Sequence, residues 1–269
     1  MNATDPLDSA GRGLFAGTAR HYARYRPGYP QAFLGDVIRR LRLDGTGRLL
    51  DLGCGTGQLT LPLAAHVAEA VGLDPEPDMI AEAARQARQA GVTNVIWIQG
   101  HSADLPGDLG HFKLVTMGRS FHWMDREQLL RALAEMVDHD GSLVIANDSN
   151  LLLPSTPWQR AIGAIQRRFL PPNYQDGLTP AAHTGQTHEQ ILANSAFRQM
   201  NRQVYECTRT WTIGHIIGYL YSTSLPLRRL LGDRQAAFED TVTGTLLAID
   251  PTGHFTETFT LEVLIANRN

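Results

Sequence analysis

The sequence predicts an α/β fold, a doubly wound and mostly parallel sheet of seven strands with helices on both faces and a helical cap. Three observations predict it. Short apolar runs alternate with helical patterns over residues 48–145, which is typical of βαβ units. A glycine-rich turn joins the first run to the first helical pattern. Two further strand patterns follow at Met200–Thr210 and Thr256–Ile265, and the clean alternation of the second fits a partner at a sheet edge.

The alternating region supplies the centre of the sheet. Its strands are predicted at Arg48–Leu52, Ala70–Leu73, Val95–Ile98, Leu114–Met117 and Ser142–Ala146. Its helices are predicted at Gln58–Val67, Pro77–Ala90 and Arg126–Val137. The middle helix is the clearest, because Pro77 suits a first helical position and Gly91 supplies a left-handed stop.

The flanking segments predict the cap. Helices at Leu14–Tyr25 and Gln31–Leu41 are separated by a break with two prolines, at Arg26-Pro27-Gly28-Tyr29-Pro30. Leu151–Thr187 contains five prolines and is too long for an ordinary connection, so we expect a functional or disordered loop. Later helices are predicted at Glu189–Asn194, Ile213–Tyr221 and Arg234–Leu247. We therefore expect a lid at 1–44, a cofactor-binding core at 45–148 and cap insertions with the last strands at 149–269, in one compact catalytic domain.

Composition excludes several classes of protein. With 269 residues, 43% of them apolar, the chain is neither disordered nor a small disulfide scaffold. Its net charge of −3 provides no broad basic field, so we expect no nucleic-acid partner. Cys54 and Cys207 are far apart and are expected to be reduced, and His183 and His188 have no third ligand at a supporting spacing, so no metal is predicted. No signal peptide or membrane-spanning run is apparent, which predicts a soluble cytoplasmic protein without a membrane partner.

The segment Asp51-Leu52-Gly53-Cys54-Gly55-Thr56-Gly57 follows the first strand and opens a helix. Glycines allow a tight turn there, and free N–H groups at a helix start attract a ligand. A dinucleotide fingerprint would need Gly or Ala at position 58, where this chain has Gln58, and a phosphate loop ending in Gly-Lys-Ser/Thr is also absent. Asp74 ends the second strand, where a carboxylate accepts from both hydroxyls of a ribose. The pattern predicts a nucleotide-like cofactor.

Taken together, these motifs resemble the class I S-adenosylmethionine-dependent methyltransferases, and among them small-molecule enzymes like trans-aconitate methyltransferase. The resemblance covers about residues 45–148. Flanking signatures strengthen it at Tyr22–Pro30 and at Ser120-Phe121-His122-Trp123, and Tyr219-Leu220-Tyr221-Ser222-Thr223-Ser224 is also similar.

The resemblance implies S-adenosylmethionine as cofactor and a small molecule as acceptor. Cofactor contacts are implied for Tyr22, Arg26, Asp51, Gly53, Cys54, Gly55, Gly57, Asp74, Pro75, Met79, Ser102, Ala103, Asp104, Leu105, Arg119 and Ser120. Acceptor contacts are implied for Tyr25, Tyr29, Phe121, His122 and Trp123, with His122 as the candidate general base. Methyl transfer is an in-line displacement, so positioning matters more than acid or base strength.

Several alternatives stay open. His122 either takes a proton or only orients its neighbours, Trp123 either faces the acceptor or fills the core, and Asp104 either contacts adenine or serves turn chemistry. Tyr22, Tyr25 and Arg26 form either a lid or an ordinary helix face. We expect oxygen as the acceptor atom, a carboxylate or a hydroxyl, while nitrogen or carbon remains possible. Methylation of RNA or protein, a catalytically silent cofactor-binding protein and a nicotinamide-dependent oxidoreductase are the rival functions, and the oligomeric state is open.

Overall fold

The computed structural model describes residues 15–148, 156–171, 185–225 and 227–268. Contacts divide the chain into two compact units. Unit 1 comprises the described residues of Met1–Pro27, Asp148–His183 and Glu206–Thr260, and unit 2 those of Gly28–Asn147, Thr184–Tyr205 and Leu261–Asn269. The boundaries differ from the predicted segments, because the second helix of the expected lid belongs to unit 2.

A seven-stranded sheet has the strand order β3-β2-β1-β4-β5-β7-β6. Its strands are β1 (Arg48–Leu52), β2 (Glu69–Asp74), β3 (Val95–Gln99), β4 (Phe112–Gly118), β5 (Val137–Asp148), β6 (Gln199–Thr212) and β7 (His254–Asn267). The pairs β1–β2, β1–β4, β2–β3 and β4–β5 are parallel. The chain order reverses between β1 and β4, which is the switch point where open α/β sheets bind ligands. The predicted doubly wound fold is confirmed.

The helices are α1 (Ala19–Tyr25), α2 (Gln31–Arg40), α3 (Thr60–Ala64), α4 (Pro77–Ala90), α5 (Arg126–Met136), α6 (Pro157–Phe169), α7 (His188–Ala193), α8 (Ile213–Leu220), α9 (Leu227–Leu231) and α10 (Gln235–Ile249). The bounds of α4 agree with the prediction, and Gly91 ends it at φ 69°. The prediction Gln58–Val67 was too long, because the chain is still in turns through Leu59 and α3 ends at Ala64.

The expected loop Leu151–Thr187 is wrong for part of its length, since α6 lies within it. Pro157 occupies the first turn of the helix, and Thr156 and Gln159 form a capping box in which Thr156 Oγ1 accepts from the Gln159 N–H. Trp158 and Ile162 are buried in unit 1. The rest of that stretch, 151–155 and 172–184, lies outside the described residues and includes Tyr174 and His183.

The apolar residues of unit 2 form two clusters, one on each face of the sheet. Leu50, Val115 and Ile145 belong to one cluster, and their neighbours Leu49 and Leu114 to the other, as expected where successive side chains of a strand point to opposite faces. Unit 1 has its own core, centred on Trp158, Trp211, Ile216, Phe238 and Phe255. Helices therefore cover both faces of the sheet, as predicted.

Candidate cofactor and acceptor site

The glycine loop after β1 is held in a conformation that requires glycine. Gly53, Gly55 and Gly57 have φ values of 66°, 53° and 86°, in the left-handed region that side chains disfavour. The N–H of Gly53 donates to the carbonyl of Leu73 at 2.8 Å. A Cβ on Gly53 would lie 2.6 Å from the Ser120 Cβ. The loop is therefore closed against β2 on one side and against the residues after β4 on the other.

Asp74 lies at the end of β2 and joins it to the glycine loop. Its Oδ2 accepts from the N–H of Gly55 at 2.8 Å, and its Oδ1 accepts from the N–H of Glu76 at 2.9 Å. Burial raises the pKa of Asp74 to about 6. Each carboxylate oxygen has more than one acceptor position, so Asp74 retains the capacity to accept from the two hydroxyls of a ribose.

Asp51 is buried beneath the loop, with 1% of its surface exposed. Thr60 Oγ1 donates to one of its oxygens at 2.6 Å, and Thr116 Oγ1 donates to the other at 2.8 Å. Burial raises the pKa of Asp51 to about 6. Asp51 thereby ties β1 to the start of α3 and to β4, and so supports the loop.

Three further residues of the implied cofactor set flank Asp74 and the loop. Cys54 is buried, and burial raises the pKa of its thiol well above the ordinary value. Met79 is 2% exposed on the core side of α4, whereas Pro75 is half-buried between Asp74 and Glu76. Cys54 is part of the loop itself, and Pro75 and Met79 follow the end of β2 along the chain.

The segment after β3 is a single 3₁₀ turn, Ser102–Asp104. Asp104 Oδ2 accepts from the N–H of His101 at 2.8 Å and so caps this turn. Ala103 and Asp104 are exposed, and Leu105 is buried. The turn chemistry considered for Asp104 is present, and the exposed carboxylate remains accessible.

The residues around the end of β4 contact the end of β1 and the ring of Tyr29. Ser120 Oγ donates to the carbonyl of Leu52 at 2.6 Å. Arg119 has a φ of 58°, which is uncommon for a residue other than glycine and concentrates at functional sites. Its guanidinium lies 4.8 Å from the ring centroid of Tyr29, and the Tyr29 ring packs on Gly118. The structure thus brings together Tyr29, Arg119 and Ser120.

The Ser120–Trp123 segment continues into a 3₁₀ turn, Phe121–Trp123. Phe121 is fully buried, whereas Trp123 is 38% exposed, so Trp123 is not a core residue. The ring of His122, which is half-buried, has its centroid 4.8 Å from that of Trp123. His122 and Trp123 are the members of this turn that present surface.

Within unit 1, the N-terminal motif packs on α8. The guanidinium of Arg26 lies 5.1 Å from the ring centroids of both Tyr22 and Tyr219, an arrangement favoured by cation–π attraction. The Tyr25 ring occupies the space a side chain would need at Gly218. The resemblance assigns no role to the motif around Tyr219, whose ring is one of the two that contact the Arg26 guanidinium.

Two further findings concern the described residues. Among them, no group of three His, Cys, Asp or Glu side chains is arranged to hold a metal ion. In the same part of the chain, no helix combines the length and apolar character needed to cross a membrane.

The central part of the chain is similar to known methyltransferases. Residues 49–141 match a family model described as a methyltransferase domain. The uncharacterized methyltransferase YcgJ of Bacillus subtilis is 29% identical over 115 residues, which is 42% of this chain and 46% of that protein. A ubiquinone biosynthesis O-methyltransferase of Azorhizobium caulinodans is 37% identical over 113 residues, 42% and 44% of the two chains. The chain spans about half the length of these curated relatives.

Solved structures show the same fold. The crystal structure of YcgJ from Bacillus subtilis aligns with a TM-score of 0.54 at 17% identity, covering 89% of this chain and all of that one. The crystal structure of a putative methyltransferase from Bacillus halodurans C-125 aligns with a TM-score of 0.56 at 15% identity, covering 88% of this chain and 98% of that one. At such identities the likeness concerns the fold alone.

Proposed function

The chain carries a class I S-adenosylmethionine-dependent methyltransferase domain, and from that premise we propose that the protein transfers the cofactor's methyl group to an oxygen atom of a small molecule. The family predicted from the sequence is confirmed, and with it S-adenosylmethionine as the cofactor of that family. The narrower resemblance to trans-aconitate methyltransferase stays a prediction, as do the individual site residues.

The hydrogen bond between Asp74 and Gly55 carries the proposal for the cofactor site. This bond holds the Asp74 carboxylate beside the glycine loop. The donors to the carboxylate are neutral N–H groups, which do not balance its negative charge, and the glycines place no side chain in the space that a ligand would occupy. A ribose diol needs such an acceptor, and the methionine end of the cofactor needs the close backbone approach that Gly53 and Gly55 allow. These residues fit S-adenosylmethionine, and the bound cofactor would supply an electrophilic methyl group on a sulfonium.

The turn after β4 is the proposed acceptor-facing element. His122 would accept a proton from a hydroxyl acceptor, while an ionised carboxylate acceptor would need no base. The exposed indole of Trp123 would cover the acceptor and exclude water. Because Phe121 is fully buried, we assign it to supporting the turn. The roles of Tyr22, Tyr25 and Arg26 stay predictions.

Two observations support oxygen as the acceptor atom. No Asn/Asp-Pro-Pro-Tyr/Phe motif, which suits planar amino groups, follows β4, because Arg119-Ser120-Phe121-His122 occupies that position. The Azorhizobium relative is named as an O-methyltransferase. Nitrogen or carbon acceptors, an RNA or protein acceptor, and a silent cofactor-binding protein are the alternatives that the experiments must separate.

Calorimetric titration with S-adenosylmethionine and S-adenosylhomocysteine tests the cofactor site. We expect both to bind the wild type and neither to bind Gly55→Val, whose side chain would enter the loop. Gly91→Val is the matched control: it places the same side chain at a left-handed glycine, φ 69°, with open space around it, and should bind normally. Tight NADH binding without a response to S-adenosylhomocysteine would contradict the proposal.

Transfer of labelled methyl groups tests the acceptor class. The protein is incubated with methyl-labelled cofactor and a cell extract, and the label is measured separately in the small-molecule, protein and RNA fractions. We expect label in small molecules, released by mild base if the product is an ester. Label confined to protein or RNA would overturn the acceptor class, and cofactor binding without any transfer would favour the silent binding protein.

A further inference from the structure

His188, which has no third metal ligand at a supporting spacing in the sequence, contacts the first residue of the 3₁₀ turn after β4 and the first residue of the helix that follows that turn. It is the first residue of α7, and its Nδ1 lies 3.2 Å from Nη1 of Arg126. Its ring centroid lies 5.0 Å from that of Phe121. Phe121 begins the turn and Arg126 begins the helix that follows it. All three residues belong to unit 2.

We propose that the Arg126–His188 pair is an acid-sensitive brace that positions the Ser120–Trp123 turn. His188 is a positioning residue in this proposal, which rests on the proposed function in assigning the turn to the acceptor. In the neutral form its Nδ1 accepts a hydrogen bond from the Arg126 guanidinium. In the protonated form Nδ1 carries a hydrogen and cannot accept, so the brace opens.

The position of the pair explains why the turn depends on it. Ser120 Oγ fixes the start of the turn to β1. Phe121 and Arg126, both buried, are held from the other side by His188. The Arg126 guanidinium also donates to the carbonyl of Gln186 at 3.3 Å, which secures the residues entering α7. His122 and Trp123 lie between the braced positions, so loss of the brace frees the residues proposed to meet the acceptor.

The charges around His188 favour the neutral form. Burial lowers the pKa of His188 from its ordinary value of 6.5, and the Arg126 cation on α5 lowers it further. Glu189, the next residue of α7, acts in the opposite direction. Protonation would place two cations about 3 Å apart in a partly buried site, a strongly unfavourable arrangement. The brace is therefore closed at neutral pH and opens in acid, below 6.5.

Two measurements on the cofactor-free protein test the inference, so its failure is distinguishable from failure of the proposed function. Proton NMR follows the titration of His188, assigned by its absence in His188→Asn. We expect it to titrate below 6.5 in the wild type and nearer 6.5 in Arg126→Gln, which lacks the cation. A titration at or above 6.5 in the wild type would overturn the pairing.

Hydrogen exchange over residues 119–126, corrected for the intrinsic effect of pH, then tests the brace. We expect protection in the wild type to fall at least about fivefold between pH 7.5 and pH 5. In His188→Asn, whose Oδ1 accepts from Arg126 without titrating, protection should remain. His254→Asn, which changes an exposed histidine, is the control and should behave as the wild type. Unchanged wild-type protection, or the same acid loss in His188→Asn, would overturn the proposal, the latter assigning the effect to another titrating group.

Discussion

Two buried carboxylates of unit 2, beside the glycine loop, have different partners from two buried carboxylates of unit 1. In unit 2, Asp51 is bonded to threonine hydroxyls and Asp74 to backbone N–H groups, all of them neutral donors. In unit 1, Asp148 and Glu257 share one arginine: Arg209 lies 2.8 Å from an oxygen of Asp148 and 3.5 Å from one of Glu257. The same kind of side chain, buried to a similar degree, is therefore held in two ways.

The difference indicates which carboxylates are available to a ligand. A carboxylate held by neutral donors keeps its charge uncompensated, and burial accordingly raises the pKa of both Asp51 and Asp74 to about 6. A ligand hydroxyl that donates to the carboxylate would reduce the free-energy cost of burying its charge. In unit 1 burial also raises the pKa of Glu257, but the Arg209 cation opposes that shift, and Trp211 and Gln159 donate to the same carboxylate. We interpret Asp74 as part of a binding site, Asp51 as the support of its loop and the unit 1 pair as structural.

The largest expected effect concerns the unit 1 network. Arg209→Met should lower the free energy of unfolding by about 3–5 kcal/mol, because it leaves two buried carboxylates without their cation. Denaturant unfolding followed by circular dichroism measures this. Lys113→Met removes a cation from the exposed pair with Asp140 and should cost less than about 1 kcal/mol. Equal losses of unfolding free energy in the two variants would mean that Arg209 contributes no more to stability than a lysine in an exposed ion pair.

In unit 2 the expected effect is on binding. Asp74→Ala should weaken S-adenosylhomocysteine by about 1–3 kcal/mol, since hydrogen bonds to a charged acceptor are lost. Calorimetric titration measures the change. Asp78→Ala, which removes an exposed carboxylate four residues further along the chain, is the control and should bind as the wild type. Unaltered binding by Asp74→Ala would remove this carboxylate from the cofactor site.

The features of unit 2 that the sequence predicted are those with local signals. Each of these signals determines the structure of residues close to it in the chain. They are the glycines spaced along one turn, the aspartate directly after an apolar run, and the proline and glycine at the two ends of α4. The positions of Gly53, Gly55 and Asp74 follow from such signals. The positive φ of Arg119 has no signal of this kind, because neighbouring elements and not the residue itself impose that conformation.

What the sequence did not predict depends on distant neighbours. His188 meets Arg126 across 62 positions of the chain, and Arg209 meets Glu257 because β6 and β7 are adjacent in the sheet. Helix α6 differs from the prediction for another reason: the prolines of its segment predict a loop, whereas Pro157 starts the helix. The capping pair Thr156 and Gln159 was the available signal.

The raised pKa of Asp74 predicts how binding depends on pH. Its carboxyl group protonates below about 6 and then accepts hydroxyl hydrogen bonds poorly. S-adenosylhomocysteine should therefore bind about tenfold more weakly at pH 5 than at pH 7. Asp74→Asn, which cannot titrate, should bind weakly but equally at both values. Titrations of the two proteins across this range measure the effect, and an equal pH dependence in Asp74→Asn would assign it to another group.

The smallest expected effect concerns Asp51 and appears in stability. The folded-state pKa of about 6 lies above the ordinary value of 3.8, so the folded protein binds a proton more tightly than the unfolded chain between these values. Acidification through that window therefore stabilises the wild type relative to Asp51→Asn, by about 1 kcal/mol between pH 6 and pH 5. Above pH 7 the difference between the two proteins should be constant, because Asp51 is ionised in both states.

Asp44→Asn is a matched control, since Asp44 also accepts from a threonine but is exposed and has a lowered pKa. The difference in unfolding free energy between this variant and the wild type should not change over this range. Chemical unfolding at pH 5, 6, 7 and 8 gives the pH dependence of the unfolding free energy for the wild type, Asp51→Asn and Asp44→Asn. A wild type that loses stability relative to Asp51→Asn on acidification would mean that the folded-state pKa of Asp51 is lowered, and would contradict the assignment of Asp51 as a carboxylate whose charge no cation balances.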